Sequence, residues 1–211
     1  DLFFIDIWGV VHNGIRLYEN AIKVLEELSN NEKKFILLTN APRPNLTVIN
    51  TLKKMGLNNF SDTVFTSGEA SKRYLLENFN NKKFFHLGPP RDFDLFKTFE
   101  DNKVLNIDDS DYLLCSGLFE EHEDDLGYYK NLLSKHITKK MICTNPDLIV
   151  DRGDKREYCA GSIAKSFEEI EGEVIYFGKP YPPVYQQATD IKDKKIYSEI
   201  QRFYFRSCNL K

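Results

Sequence analysis

Leu2-Phe3-Phe4-Ile5-Asp6-Ile7-Trp8-Gly9 is a short, mostly apolar run that carries one carboxylate and ends at a glycine. Outward from it, strand-like and helix-like patterns alternate. Residues 19–29, ENAIKVLEELS, place Ile22, Leu25 and Leu28 on one helical face. Phe35-Ile36-Leu37-Leu38 is a second apolar run, closed by Thr39-Asn40 and Pro42. A second helix is expected at about 45–55, with Val48, Leu52 and Met55 on one stripe and Gly56 as its stop. Thr63-Val64-Phe65-Thr66 then runs into Ser67-Gly68 and a further helix, EASKRYLLENF. Strands buried on both faces and separated by amphipathic helices form a parallel sheet with right-handed crossovers, so the fold class is α/β.

The middle continues the alternation less regularly. Lys83–Gly88, Tyr112–Cys115 and Met141–Cys143 read as strands, with helices expected near 92–100 and 124–136. Val174-Ile175-Tyr176-Phe177 leads into Gly178-Lys179-Pro180 and a helix near 182–190. The acidic stretch Glu120-Glu121-His122-Glu123-Asp124-Asp125 has one His among five carboxylates and reads as a solvated face before a cation site.

Composition narrows the function classes. At 211 residues the chain is 41% hydrophobic, 29% charged and 13% aromatic, which supports a packed core and excludes a disordered or disulfide-scaffold chain. Lys+Arg 29 against Asp+Glu 32 gives a net charge of −3, with no footprint for nucleic acid. No apolar run approaches the ~18–20 residues of a membrane span. Cys115, Cys143, Cys159 and Cys208 lie far apart without CxxC spacing, so reduced thiols and a cytoplasmic setting are expected.

Open parallel sheets bind ligands beyond the carboxyl ends of their strands. Asp6, Thr39-Asn40, Ser67-Gly68 and Gly178-Lys179-Pro180 are expected on that rim. Singly, Thr39-Asn40 could cap a helix and Lys179 could be a surface lysine. Together they describe an oxyanion site with a nucleophilic carboxylate, where amides and a lysine offset phosphate charge. Neither a G-x-G-x-x-G nor a G-x-x-x-x-G-K-[ST] loop is present, so an unrelated dinucleotide or P-loop protein is disfavoured.

At these residues the sequence resembles the haloacid dehalogenase superfamily. Ile5-Asp6-Ile7-Trp8-Gly9-Val10 with His12 and Gly14, Leu38-Thr39-Asn40 with Arg43, and Gly178-Lys179-Pro180 look like its motifs I, II and III. The match is closest to the class IIA, NagD-like and p-nitrophenylphosphatase-like branch. Thr66–Ala70, Cys143-Thr144-Asn145-Pro146-Asp147 and Cys159-Ala160-Gly161-Ser162 also fit it in order and spacing. The resemblance implies a Rossmann-like core over 1–70 and 175–211, with an α/β cap inserted at 71–174. It further implies a phosphatase acting on a small phosphorylated metabolite and homo-oligomerisation through the cap. Asp6 would take the phosphoryl group as an aspartyl phosphate and ligate Mg²⁺ together with the backbone carbonyl of Trp8. Thr39 would hydrogen-bond the transferring phosphoryl oxygens and Lys179 would neutralise charge. Asn40 would shape the phosphate rim, and Asn145 and Asp147 are the cap's substrate-contact candidates, although Asn and Asp beside Pro equally favour a turn.

Two departures qualify the activity. The family carries a second Asp two residues after the nucleophile, where this chain has Trp8. That carboxylate serves as general acid and base, work typically worth ~10²–10⁴-fold, and an indole does not titrate usefully. A slow phosphatase, proton transfer by another group such as His12, or a phospholigand-binding protein without turnover all remain open. A structural His beside a turn is the plainer reading of His12. The second departure lies downstream. After Lys194–Ser198 no Gly-Asp segment follows, and Glu199 is the weak candidate to replace the absent acidic metal ligand. Thr189-Asp190-Ile191 comes too early for that motif and is expected to end a helix. With Asp1 about five residues before the nucleophile, a truncated or frame-shifted chain with an incomplete core is expected.

Overall fold

A computed structural model describes residues 1–152 and 155–190. Two parallel sheets organise it. In the first, β1 (Leu2–Ile5), β2 (Lys34–Thr39) and β3 (Val64–Thr66) lie in the order β1-β2-β3, with Ile5 opposite Leu37 and Thr39 opposite Thr66. Helices α1 (Glu19–Asn30) and α2 (Asn45–Lys54) make the crossovers, and α3 (Ser67–Asn78) leaves β3 without a loop. The helix at 45–55 thus ends at Lys54, and Leu52 is its buried residue, while Val48 and Met55 are half-buried.

The second sheet has the order β10-β7-β6-β4-β5. It is built from β4 (Phe84–Leu87), β5 (Lys103–Val104), β6 (Tyr112–Cys115), β7 (Lys140–Cys143) and β10 (Val174–Tyr176), all parallel to their neighbours. Helices α4 (Leu126–Leu133) and α5 (Ala160–Glu168) flank it, and a short antiparallel hairpin, β8 (Ile149–Arg152) with β9 (Lys155–Tyr158), projects between β7 and α5. Helix α6 (Pro182–Asp190) follows β10. The helix expected near 92–100 is instead a pair of 3₁₀ turns, at Pro90–Leu95 and Lys97–Asn102. The boundary placed at 174/175 falls inside β10, whose pairing with β7 runs to Tyr176.

Period-2 alternation explains why both sheets read as continuous apolar runs. From β2, Phe35 and Leu37 face Leu25 of α1 and Leu52 of α2, whereas Ile36 and Leu38 face the opposite side. There they join Ala70 and Leu75 of α3, Val184 and Ala188 of α6, and Tyr112, Leu114 and Ile142 of the second sheet in one cluster. The other face of that sheet, Leu113, Cys115, Met141 and Cys143, packs on Tyr129, Ile163 and Phe167 from α4 and α5. α3 and α6 therefore form a shared middle layer, and this layer fixes how the carboxyl ends of the two sheets face one another.

Several smaller expectations meet their structure here. Cys115, Cys143 and Cys159 are buried free thiols, and Cys208 lies outside the described residues. The five carboxylates of the 120–125 run are exposed, His122 stacks on Tyr128 at 3.6 Å, and Asp125 caps α4 through the Tyr128 N–H. α5 starts directly after Cys159, and α6 runs to Asp190, the last described residue, so whether the helix ends at Thr189-Asp190-Ile191 lies outside the described residues. No helix among the described residues is long and apolar enough to cross a membrane.

Candidate active site

Asp6 is the first residue past β1, and Thr39 is the last residue of β2. Asp6 Oδ1 accepts the Ile7 N–H at 2.8 Å and meets Lys179 Nζ at 2.5 Å. Thr39 is almost fully buried, and its Oγ1 accepts the Ala41 N–H at 3.3 Å, which leaves the hydroxyl proton to be donated. Gly178, at φ +126°, turns the chain after β10 so that Lys179 arrives beside Asp6. Asp6, Thr39, Asn40, Lys179, Trp8, Asn145 and Asp147 all line one cleft of about 1050 Å³ between the two sheets.

Asn40 connects three segments. Its Nδ2 donates to Asp147 Oδ1 at 2.8 Å and to the Lys179 carbonyl at 3.0 Å, and its Oδ1 accepts the Lys179 N–H at 2.6 Å. Asn145 and Asp147 form the expected turn, with the Asp147 N–H on Asn145 Oδ1 at 3.0 Å. Burial pushes the Asp147 carboxyl above its usual range, with Asp6 adding to the shift and the Asn40 hydrogen bond and Lys179 opposing it.

Trp8 lines the cleft, its ring edge-on to His12 at 5.4 Å and its six-membered ring against Gly14. A Cβ on Gly14 would lie 2.7 Å from the indole, and φ there is +89°, so glycine is what admits the tryptophan. His12 is buried, and its Nδ1 accepts the Gly14 N–H at 2.8 Å. Burial lowers its pKa, with Asp6 opposing, so the ring is neutral with its proton on Nε2. His12 thus pins the turn to Gly14 and also lines the cleft.

The far wall of the cleft combines Arg43, which the sequence places with Leu38-Thr39-Asn40, with pairings that had no signal in the sequence. Arg43, from the loop after β2, places Nε 3.2 Å from Asp92 Oδ1, and Thr47 Oγ1 donates to Asp94 at 3.1 Å. Asp92 also accepts from Ser116 Oγ at 2.9 Å, and Ser116 in turn meets His86 Nε2 at 2.9 Å. The Arg43 loop is held from behind. Gly68 N–H and Ser67 Oγ donate to the Ala41 carbonyl at 3.1 and 3.0 Å, and a Cβ on Gly68 would lie 2.2 Å from the Arg43 nitrogen.

No three His, Cys, Asp or Glu side chains gather as a metal set among the described residues. Asp6 is engaged through Oδ1 and its side chain is 43% exposed, so Oδ2 is the one carboxylate oxygen offered to a cation. Mg²⁺ is commonly held by one or two carboxylates with phosphate oxygens and water making up the rest. The donor set fits that minimal form. Glu199 lies outside the described residues.

A family model described as haloacid dehalogenase-like hydrolase matches residues 3–100. A hydrolase of the haloacid dehalogenase-like family from Brucella suis is 30% identical, covers 89% of this chain and 72% of its own, and superposes with a TM-score of 0.80. The chain belongs to the haloacid dehalogenase-like hydrolase family. A 4-nitrophenylphosphatase from Thermotoga maritima is 28% identical over 90% of this chain and 72% of its own, with a TM-score of 0.68. A p-nitrophenyl phosphatase from Archaeoglobus fulgidus, 21% identical over 90% and 73%, shares the fold with a TM-score of 0.71. No curated protein sequence matches the chain. As a haloacid dehalogenase-like protein, the chain has a Rossmann-like parallel sheet whose strand ends carry Asp6 and Thr39.

Proposed function

We propose that the chain hydrolyses the phosphate monoester of a small metabolite through an aspartyl phosphate on Asp6. The contact that carries this reading is Lys179 Nζ on Asp6 Oδ1 at 2.5 Å, at the carboxyl edge of a parallel sheet and beside Thr39. Two relatives bear nitrophenylphosphatase names. In the first half-reaction an Asp6 carboxylate oxygen bonds to phosphorus as the bond to the leaving oxygen breaks. In the second, water bonds to phosphorus, the aspartyl–phosphorus bond breaks, and phosphate leaves. Thr39 donates its hydroxyl proton to a phosphoryl oxygen, and the Lys179 ammonium offsets the charge that gathers on the phosphoryl group. Mg²⁺ would be held by Asp6 and, by family resemblance, the Trp8 carbonyl, where it would neutralise phosphate charge when bound. The second sheet acts as the cap, and its Asn145–Asp147 turn faces the substrate side of the cleft.

Trp8 favours a second reading, ligand binding without turnover, because it supplies no titratable group. One experiment separates the two: phosphate release from 4-nitrophenyl phosphate, with Mg²⁺ or with EDTA, for the wild-type chain and D6N. The hydrolase reading expects release that needs Mg²⁺ and is absent from D6N. Saturable binding of inorganic phosphate with no release under any metal condition would leave the binding reading in its place.

A further inference from the structure

Asn40 sits where a phosphate ligand is expected, yet its amide is spent inside the protein. An asparagine side chain offers two N–H donors and one carbonyl oxygen. Both donors are used, one on Asp147 Oδ1 and one on the Lys179 carbonyl, at 2.8 and 3.0 Å. The oxygen accepts the Lys179 N–H at 2.6 Å. What is left is a lone pair, which an anionic phosphate oxygen cannot use. The amide orientation is set by its neighbours: reversing it would put NH₂ against the Lys179 N–H and oxygen against the Asp147 carboxylate, both repulsive.

We infer that Asn40 is a positioning residue that fixes the Lys179 backbone beside Asp6 and docks the Asn145–Asp147 turn onto the end of β2. The inference rests on the proposed reading of Asp6 and Lys179 as the phosphoryl site. Three features of the packing support it. The N–H and C=O of a single residue, Lys179, both pair with the Asn40 amide, so the start of the lysine stem is held at two points. The preceding Gly178 leaves no slack, since a Cβ there would lie 2.8 Å from Asn40 Oδ1 and 2.5 Å from Pro146 Cδ. The turn is braced from its other side as well, because a Cβ on Gly161 would lie 2.3 Å from the Pro146 carbonyl oxygen. Asn40 is 7% exposed, so water competes little for these bonds. The lysine that neutralises Asp6 and the turn that closes over the cleft are thereby set by the same amide.

The test uses N40D and the exchange variant N40D/D147N. N40D replaces the donor to Asp147 by a carboxylate, so two like charges meet and the Lys179 carbonyl loses its partner. N40D/D147N restores one donor and one acceptor between the two positions. Two readouts are taken after circular dichroism and thermal melting confirm folded protein. One is acylation of Lys179 by acetic anhydride, measured by peptide mass spectrometry against exposed Lys23. The other is kcat/KM for 4-nitrophenyl phosphate. N40D is expected to label Lys179 several-fold faster than wild type and to lose about 10²-fold in kcat/KM, the scale of a misplaced catalytic group. N40D/D147N is expected to recover part of both. The inference is overturned if Lys179 in folded N40D labels at the wild-type rate, or if the exchange variant recovers neither readout. Should the wild-type chain release no phosphate, the hydrolase reading fails alone and Lys179 labelling still decides the role of Asn40.

Discussion

Lys179 Nζ lies 2.5 Å from Asp6 Oδ1, although nearly the whole of the described chain separates the two residues. The pair is assembled by two sheets at once: β1 ends just before Asp6, and the Gly178 turn after β10 delivers the lysine. Its side chains are 24% and 43% exposed, so water screens it and its worth to stability is about 0–1 kcal/mol.

That low structural worth separates function from folding in K179M. Loss of the cation from the phosphoryl site is expected to lower kcat for 4-nitrophenyl phosphate by about 10²–10³-fold. The melting temperature should stay close to wild type. A variant that melts far below wild type would mean that the lysine holds the two sheets together and that its activity loss is secondary.

W8D tests the position where the family's acid–base carboxylate is absent. If proton transfer limits the wild-type rate, an aspartate there is expected to raise kcat by up to ~10²-fold, the lower end of the range for general acid–base help. The gain should be larger for an alkyl phosphate than for 4-nitrophenyl phosphate, whose leaving group needs less protonation. The same change removes the indole from His12 and Gly14, so a lower melting temperature is expected alongside the faster turnover. A W8D chain that stays folded and gains nothing on either substrate would assign the proton transfer elsewhere.

The alternation of strands and helices over the first seventy residues was readable because β2 and β3 are buried on both faces and α1 and α2 carry clear stripes, while β1 is only half-buried with Phe3 exposed. Asp6 and Thr39 were readable together because a parallel sheet brings its strand ends to one edge, whereas Lys179 follows β10 of the other sheet and was grouped with them through the Gly178-Lys179-Pro180 motif. Other features rest on pairings that spacing does not encode. Asp92, Ser116 and His86 meet across three segments, and Arg43 reaches Asp92 from the other sheet. The expected helix near 92–100 follows Pro89-Pro90 and carries Phe93, Phe96 and Phe99, and tertiary packing of Leu95 and Phe96 resolves the segment as 3₁₀ turns. Asn40 was readable as a rim residue, but only its partners reveal that its amide is committed to Lys179 and Asp147.

The buried His86 gives stability a defined pH dependence. Burial, reinforced by Lys103, pushes its pKa down from 6.5 to about 3. The unfolded chain therefore takes up a proton as pH falls below 6.5 while the folded chain does not, and the fold weakens by about 1.4 kcal/mol per pH unit at most. His12, also lowered by burial, acts in the same direction. Asp92 acts in the opposite one, because its raised pKa favours the protonated fold, but only as pH enters the carboxylate range. Between pH 6.5 and 5 the histidines should dominate. Urea melts over that interval are expected to show falling stability in wild type and a shallower fall in H86N. Equal slopes in the two proteins would mean that His86 is protonated without penalty.

G178A probes the junction of the three segments that meet at Asn40. The backbone at Gly178 has φ +126°, and an added Cβ would stand 2.5 Å from Pro146 Cδ and 2.8 Å from Asn40 Oδ1. Neither neighbour can retreat, because Pro146 is backed by Gly161 and the Asn40 amide is held at both ends. Gly56, at the end of α2 with φ +104°, offers a control, since nothing lies within 4 Å of its added Cβ. G56A should carry only the backbone term, a destabilisation somewhat larger than the ~0.4–1 kcal/mol that Gly→Ala gains at compatible sites, and leave turnover unchanged. G178A should add an overpacking cost of about 1–3 kcal/mol and also lower kcat/KM, since any shift of the turn carries Lys179 away from Asp6. If G178A proves no less stable than G56A and equally active, the close packing of Gly178 on Pro146 and Asn40 does not hold in solution.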